Sequence, residues 1–233
     1  MDEDVFKRAE RFAESVFEGD SSGHDIYHTL RVHSLARSIC AEEGGDEGTV
    51  RLAALLHDVD DPKLFGGEGY PNARRFMEGE ELGRDTVERV VGIISQISFR
   101  GSGAAVPDSL EGKIVQDADR MDAIGAIGIA RAFAYGGSRG RPMHVPGEPP
   151  REGMTEAEYR SSQGTTVNHF HEKLLKLKDL MNTGTARRMA EARHRYMAGF
   201  LEELMDEWDG KRRSPGRPVS VVRLEQKYYE YRR

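Results

Sequence analysis

An all-α helical bundle is the fold this sequence predicts, and three observations predict it. Apolar residues recur at spacings of three and four over most of the chain. No run alternates apolar and polar residues as a half-buried strand does. The breaks between periodic runs carry residues that end and start helices. In chain order the periodic runs cover 3–18, 25–42, 47–59, 84–99, 110–134, 156–181 and 186–208. The stretch "EEGGDEG" separates the second from the third, and in "MNTGTARR" Gly184 suits a C-terminal cap and Thr185 an N-cap. Two connections are longer. "DPKLFGGEGYPNA" follows the third run, and the Gly/Pro-rich "GGSRGRPMHVPGEPPREG" spans 136–153, a length that suits a lid or binding loop. Neither a repeat of fixed period nor a low-complexity tract is present.

The 233 residues suffice for one sizeable domain. We expect it over 1–210, with a core at about 20–135, a helical part at 155–208 that completes the site, and a basic segment at 211–233. A single cysteine, Cys40, excludes an intramolecular disulfide, and the opening "MDEDVFKRAERF" lacks the apolar stretch of a signal peptide. A reducing, cytoplasmic location is therefore expected. The most apolar run, "AIGAIGIARAFAY" from Ala123, is interrupted by Arg131 and falls short of the roughly 20 residues a membrane span requires. The formal net charge is −6, but 211–233 hold eight Lys/Arg against two Glu, which leaves −12 on the rest. An acidic body disfavours nucleic-acid binding, whose affinity rests on neutralising phosphates. A homodimer is compatible with the sequence.

The stretch "RLAALLHDVDDPKLFG", 51–66, places His57 and Asp58 directly after five apolar residues, where unpaired ionisable groups would be costly. A metal ion removes that cost. Adjacent helical residues diverge by roughly 100°, so the pair can share an ion only off the helix edge, and other helices must complete the shell. His28, in "HTLRVHSLARSI", and the carboxylates of "KIVQDADRMDAIG" are available. Imidazole and carboxylate together suit Mn, Fe, Zn, Co or Mg. A second dipeptide, His24-Asp25, follows "SSG" at a helix start, where Asp25 or Ser22 reads as a cap. His24 is still one turn before His28, and at the mouth of the same site it would touch substrate.

"HTLRVHSLA", "AALLHDVDD" and "ADRMDAIG" resemble, in order and type, the HD-domain metal-dependent phosphohydrolases, whose signature is one His, a later His-Asp pair and a distant Asp. "KIVQDADRMDAIGAIGIARAFAYGG" and "NHFHEKLLKLKDLMNTGTARRMAEARHRYM" are similar to the bacterial and archaeal subgroup of nucleotide pyrophosphohydrolases, so the resemblance covers about 20–208. It implies an all-α HD-domain bundle with His28, His57, Asp58 and Asp119 as ligands of one divalent ion, manganese foremost. Asp117 is the competing fourth ligand, but lies about 200° around the helix from Asp119. Asp122, at i+3 from Asp119, shares its face and is expected beside the ligands at the edge of the substrate site.

Asp60 and Asp61, three and four residues after His57, are the acid/base candidates, and the family's acidic residue four after the His favours Asp61. Lys63 is expected at the rim as a phosphate ligand, and Arg31 and Arg120 are further phosphate contacts. His169, Lys173 and Lys176, at i, i+4 and i+7 of one helical stripe, are expected to meet a triphosphate if that stripe faces the site. The sequence holds no P-loop. The resemblance thus implies hydrolysis of nucleoside or deoxynucleoside triphosphates to monophosphate and pyrophosphate. A nucleotidase or phosphodiesterase on the same site, or a nucleotide- or metal-sensing module without turnover, are the rival readings.

Overall fold

The computed structural model describes residues 1–18, 26–61, 69–97, 105–151 and 164–211. Among them it is helical, with no strand, in agreement with the expected fold class. By its internal contacts the chain divides into two compact units. The first comprises Met1–Asp122 with Asn182–Ala186, and the second Ala123–Met181 with Arg187–Arg233.

The first unit begins with α1, Glu3–Phe17, whose N-cap Asp2 accepts from the Asp4 amide and whose buried face is Val5, Phe6, Ala9, Ala13 and Phe17. Helix α2, Ile26–Glu43, buries His28, Thr29, Val32, His33, Ala36, Ile39 and Cys40. Helix α3, Glu47–Leu56, is started by Asp46, which accepts from the Gly48 and Thr49 amides, and every residue from Thr49 to Leu56 is buried. A helix buried on all sides belongs at the centre of a bundle. It packs against α1, α2, α5 (Arg84–Ile97) and α6 (Leu110–Asp122). The run expected over 47–59 ends three residues early, and His57 to Asp60 form a turn.

Between α3 and α5 lies α4, Pro71–Gly79, within a stretch expected to be loop. Pro71 suits the first helical position. Tyr70 before it is left-handed (φ 59) and gives no side-chain cap. Asp60 does this instead, since its two carboxylate oxygens accept from the Asn72 and Ala73 amides at 2.9 Å each. Asn72 Nδ2 returns a hydrogen bond to the Val59 carbonyl at 2.8 Å, so the turn after α3 and the start of α4 are tied together.

The run expected over 110–134 is two helices. α6 stops at Asp122, Ile124 is extended, and α7 (Gly125–Ser138) starts at a glycine with φ +79 that only glycine adopts without strain. Asn182–Ala186 rejoin the first unit at the start of α9, Gly184–Trp208. Asp117 accepts there from the Asn182 and Thr183 amides, and Thr183 Oγ1 accepts from the Ala186 amide. Thr183, not Thr185, is the capping residue. Thr185 hydrogen-bonds Glu42 and Glu43 at the end of α2.

In the second unit, Phe133 of α7 packs on Phe170 and Phe200, with ring centroids 5.9 and 5.7 Å away. Phe170 belongs to α8, Thr166–Glu172, capped by Thr165, which accepts from the Asn168 amide. Gly136 admits α8 closely, because a Cβ there would sit 2.3 Å from Thr166 Oγ1. After α8 the chain continues as a 3₁₀ helix, Leu174–Leu180. No described helix is long and apolar enough to cross a membrane.

Candidate metal centre

Three elements of the first unit converge on one cluster. His28 comes from α2, His57 and Asp58 from the turn that ends α3, and Asp119 from α6. His57, which keeps right-handed helical dihedrals, and Asp58 sit in the turn that follows Leu56. His57 Nε2 and Asp58 Oδ2 are 3.2 Å apart. His28 Nε2 lies 3.5 Å from Asp58 Oδ2 and 3.4 Å from Asp119 Oδ1. The ligand atoms of His28, His57 and Asp119 all fall within 4.8 Å of one another.

Both imidazoles are oriented through Nδ1. His57 Nδ1 donates to the Ala54 carbonyl at 2.9 Å, one of the carbonyls left over at the end of α3. His28 Nδ1 donates to Asp122 Oδ2 at 2.7 Å. Neither acceptor can donate, so each Nδ1 carries a hydrogen and each Nε2 faces the cluster. His57 Nε2 is buried and has no hydrogen-bond partner. A buried nitrogen lone pair left without a partner is costly unless something coordinates it.

A divalent ion fits this arrangement. Ligands at right angles around an ion with bonds of about 2.1 Å stand roughly 3.0 Å apart, close to the 3.2, 3.4 and 3.5 Å edges of the cluster. Two imidazoles with two carboxylates are donors for Mn, Fe, Zn, Co or Mg. The electrostatics point the same way. Burial pushes the His28 imidazole down, but hydrogen bonds with Asp119 and Asp122 and the charges of Asp119 and Asp58 outweigh it and raise its pKa to about 10. Those carboxylates therefore create a strong demand for positive charge at this point.

The three aspartates of α6 have separate surroundings. Asp119 faces the cluster. Asp117, fully buried, accepts from Asn182 and Thr183 through backbone and side chain, and so anchors the start of α9. Asp122, expected beside the ligands, is 1% exposed, with both oxygens engaged by His28 and Arg31.

The acid/base pair also separates. Asp60 is buried, with both carboxylate oxygens accepting from amides at the start of α4. Asp61 is half-buried, and its amide donates to the Asp58 carbonyl at 3.0 Å. His24, with Asp25, and Lys63 lie outside the described residues. Arg31, expected at phosphate, holds Asp122 through Nε (2.7 Å) and Nη2 (3.1 Å) with a third of its side chain exposed. Arg120 is buried.

The expected stripe of His169, Lys173 and Lys176 is not one helical face. α8 ends at Glu172, Lys173 turns out with φ −136 and ψ −61, and Lys176 lies in the 3₁₀ helix. Burial, with the charges of Lys173 and Arg141, lowers His169 to about 4, so it is neutral near pH 7.

A helical bundle presenting one His, a His-Asp pair and a distant Asp at a single point defines the HD class of metal-site proteins. Residues 25–124 match the HD domain family, and the chain belongs to that superfamily. It is 40% identical to the protein YpgQ of Bacillus subtilis over 211 residues, 85% of this chain and 92% of YpgQ. An HD-superfamily hydrolase from Bacillus thuringiensis has the same fold with a TM-score of 0.74 and 43% identity, over 89% of this chain and 98% of that one. The structure of Bacillus subtilis YpgQ in complex with ADP matches with a TM-score of 0.69 and 35% identity, over 91% of this chain and 98% of that one.

Proposed function

We propose that this protein is a metal-dependent phosphohydrolase that cleaves nucleoside or deoxynucleoside triphosphates to monophosphate and pyrophosphate. The observation that carries this reading is the convergence of two Nε2 atoms and two carboxylates, with edges of 3.2 to 3.5 Å, at a point where one nitrogen is buried without a partner. ADP bound to YpgQ supports a nucleotide as the ligand.

His28, His57, Asp58 and Asp119 hold one divalent ion, with manganese preferred. When bound, such an ion polarises a phosphoryl oxygen and brings the pKa of water toward neutrality. The open side of the cluster is at Asp119, whose side chain is 29% exposed against 6% for His28. Substrate enters there. The Asp61 carboxylate takes the proton of the attacking water and returns it to the leaving oxygen, since Asp60 is committed to α4.

The test is release of phosphate and pyrophosphate from a panel of nucleotides by metal-stripped protein resupplied with Mn, Mg, Co or Zn. The reading requires pyrophosphate from triphosphates, lost in Asp58→Ala. Orthophosphate from monophosphates alone would make the protein a nucleotidase. Nucleotide binding without turnover under any metal would make it a sensor.

A further inference from the structure

We propose that Asp122 is the positioning residue of the metal centre, fixing His28 with Nε2 toward the ion, and that Arg31 fixes Asp122 in turn. This rests on the cluster being a metal centre. Two helices supply the arrangement with matched spacing. His28 and Arg31 stand three apart on α2, Asp119 and Asp122 three apart on α6, and i,i+3 residues share a helix face. His28 is thereby held at both ring nitrogens, with Nδ1 2.7 Å from Asp122 and Nε2 3.4 Å from Asp119.

Asp122 is 1% exposed, and a buried carboxylate persists only when its oxygens are satisfied. Arg31 satisfies both, donating Nε to Oδ1 and Nη2 to Oδ2, which leaves the Oδ2 lone pair nearer His28 to accept from Nδ1. An ionised carboxylate cannot donate, so Nδ1 carries a hydrogen toward Asp122 and the ring cannot rotate without breaking this bond. At His57 the Nδ1 partner is the neutral Ala54 carbonyl. The two imidazoles are therefore oriented by different means, and only His28 depends on a side chain that can be deleted. Carboxylates behind ligand histidines typically change metal affinity by about ten- to a hundredfold.

The experiment is Mn²⁺ titration by calorimetry of metal-stripped full-length protein, with the visible absorption spectrum of the Co²⁺-loaded protein as a report on ligand geometry. Asp122→Ala should weaken Mn²⁺ by about ten- to a hundredfold and alter the Co²⁺ spectrum. Arg31→Gln, which keeps Asp122 and changes a residue at the partly exposed edge, should weaken Mn²⁺ several-fold and shift the spectrum the same way. It carries the test if Asp122→Ala does not fold. Wild-type affinity and an unchanged spectrum in these variants, while His28→Ala loses the metal, would overturn the positioning role and leave the metal centre standing. A wild-type protein that takes up neither ion would overturn both.

Discussion

Asp117 and Asp119 stand two residues apart on α6 and serve different ends of the fold. Asp119 Oδ1 lies 3.4 Å from His28 Nε2, whereas Asp117 accepts from Asn182 and Thr183 at 2.8–2.9 Å. Asp119→Asn should therefore abolish metal-dependent turnover while the metal-free protein melts near the wild-type temperature. Asp117→Ala should cost stability, about 2–4 kcal/mol for the loss of a buried charged acceptor, while each folded molecule keeps its activity. Denaturant unfolding and activity per folded protein separate the two. Equal effects at both positions would contradict the division.

Asp60 and Asp61 divide in the same way. Asp60→Asn weakens an acceptor of two α4 amides and should cost about 1–2 kcal/mol, the usual worth of a helix cap, with little change in rate. Asp61→Asn should slow turnover by about 10²–10⁴-fold, the range of general acid–base catalysis, at unchanged stability. Steady-state kinetics beside thermal melts on both variants decide between these assignments.

His33 gives a pH dependence away from the metal. It is buried beside Arg51, whose Nε is 3.4 Å from its Nε2, and burial together with the charges of Arg51 and Arg37 lowers its pKa to about 4. In the unfolded chain the ring titrates near 6.5. Between these values the unfolded state binds the extra proton, so this contribution to stability is complete above pH 6.5 and is lost as the pH falls toward 4. His33→Gln should flatten that slope in denaturant midpoints measured from pH 7.5 to 4.5. His169 and His171, both lowered to about 4, act in the same direction and leave a residual slope. A variant slope equal to that of the wild type would contradict the assignment.

Removing the metal should expose its contribution directly. A chelator should stop turnover, and resupplying Mn²⁺ to a hundred times its dissociation constant should restore it and stabilise the fold by about 2.7 kcal/mol. His57→Ala should show neither response.

Local spacing made the helices and the His57-Asp58 pair legible, because apolar periodicity and a His-Asp pair after a buried stripe are properties of neighbouring residues, whereas His28 and Asp119 were assigned through the family resemblance. Asp60 shows where that information ends. Its partners are 12 and 13 residues further on, across a Gly-rich stretch, so nothing in the adjacent sequence distinguishes it from Asp61. The break at Gly125 was hidden for the opposite reason, since "AIGAIG" keeps helical periodicity through a residue whose φ is +79. Helix α4 was masked by flanking glycine and proline, although Ala73, Phe76 and Met77 carry the helical spacing. The turn at Lys173 has no local signal in a run of leucines and lysines, and it removed the expected basic stripe.

The most direct test of the central claim is anomalous diffraction from crystals of the protein soaked in Mn²⁺. One peak per chain, within about 2.0–2.3 Å of His28 Nε2, His57 Nε2, Asp58 and Asp119, is the predicted result. Two peaks at the cluster, or manganese bound only elsewhere, would contradict a mononuclear centre built from these four residues.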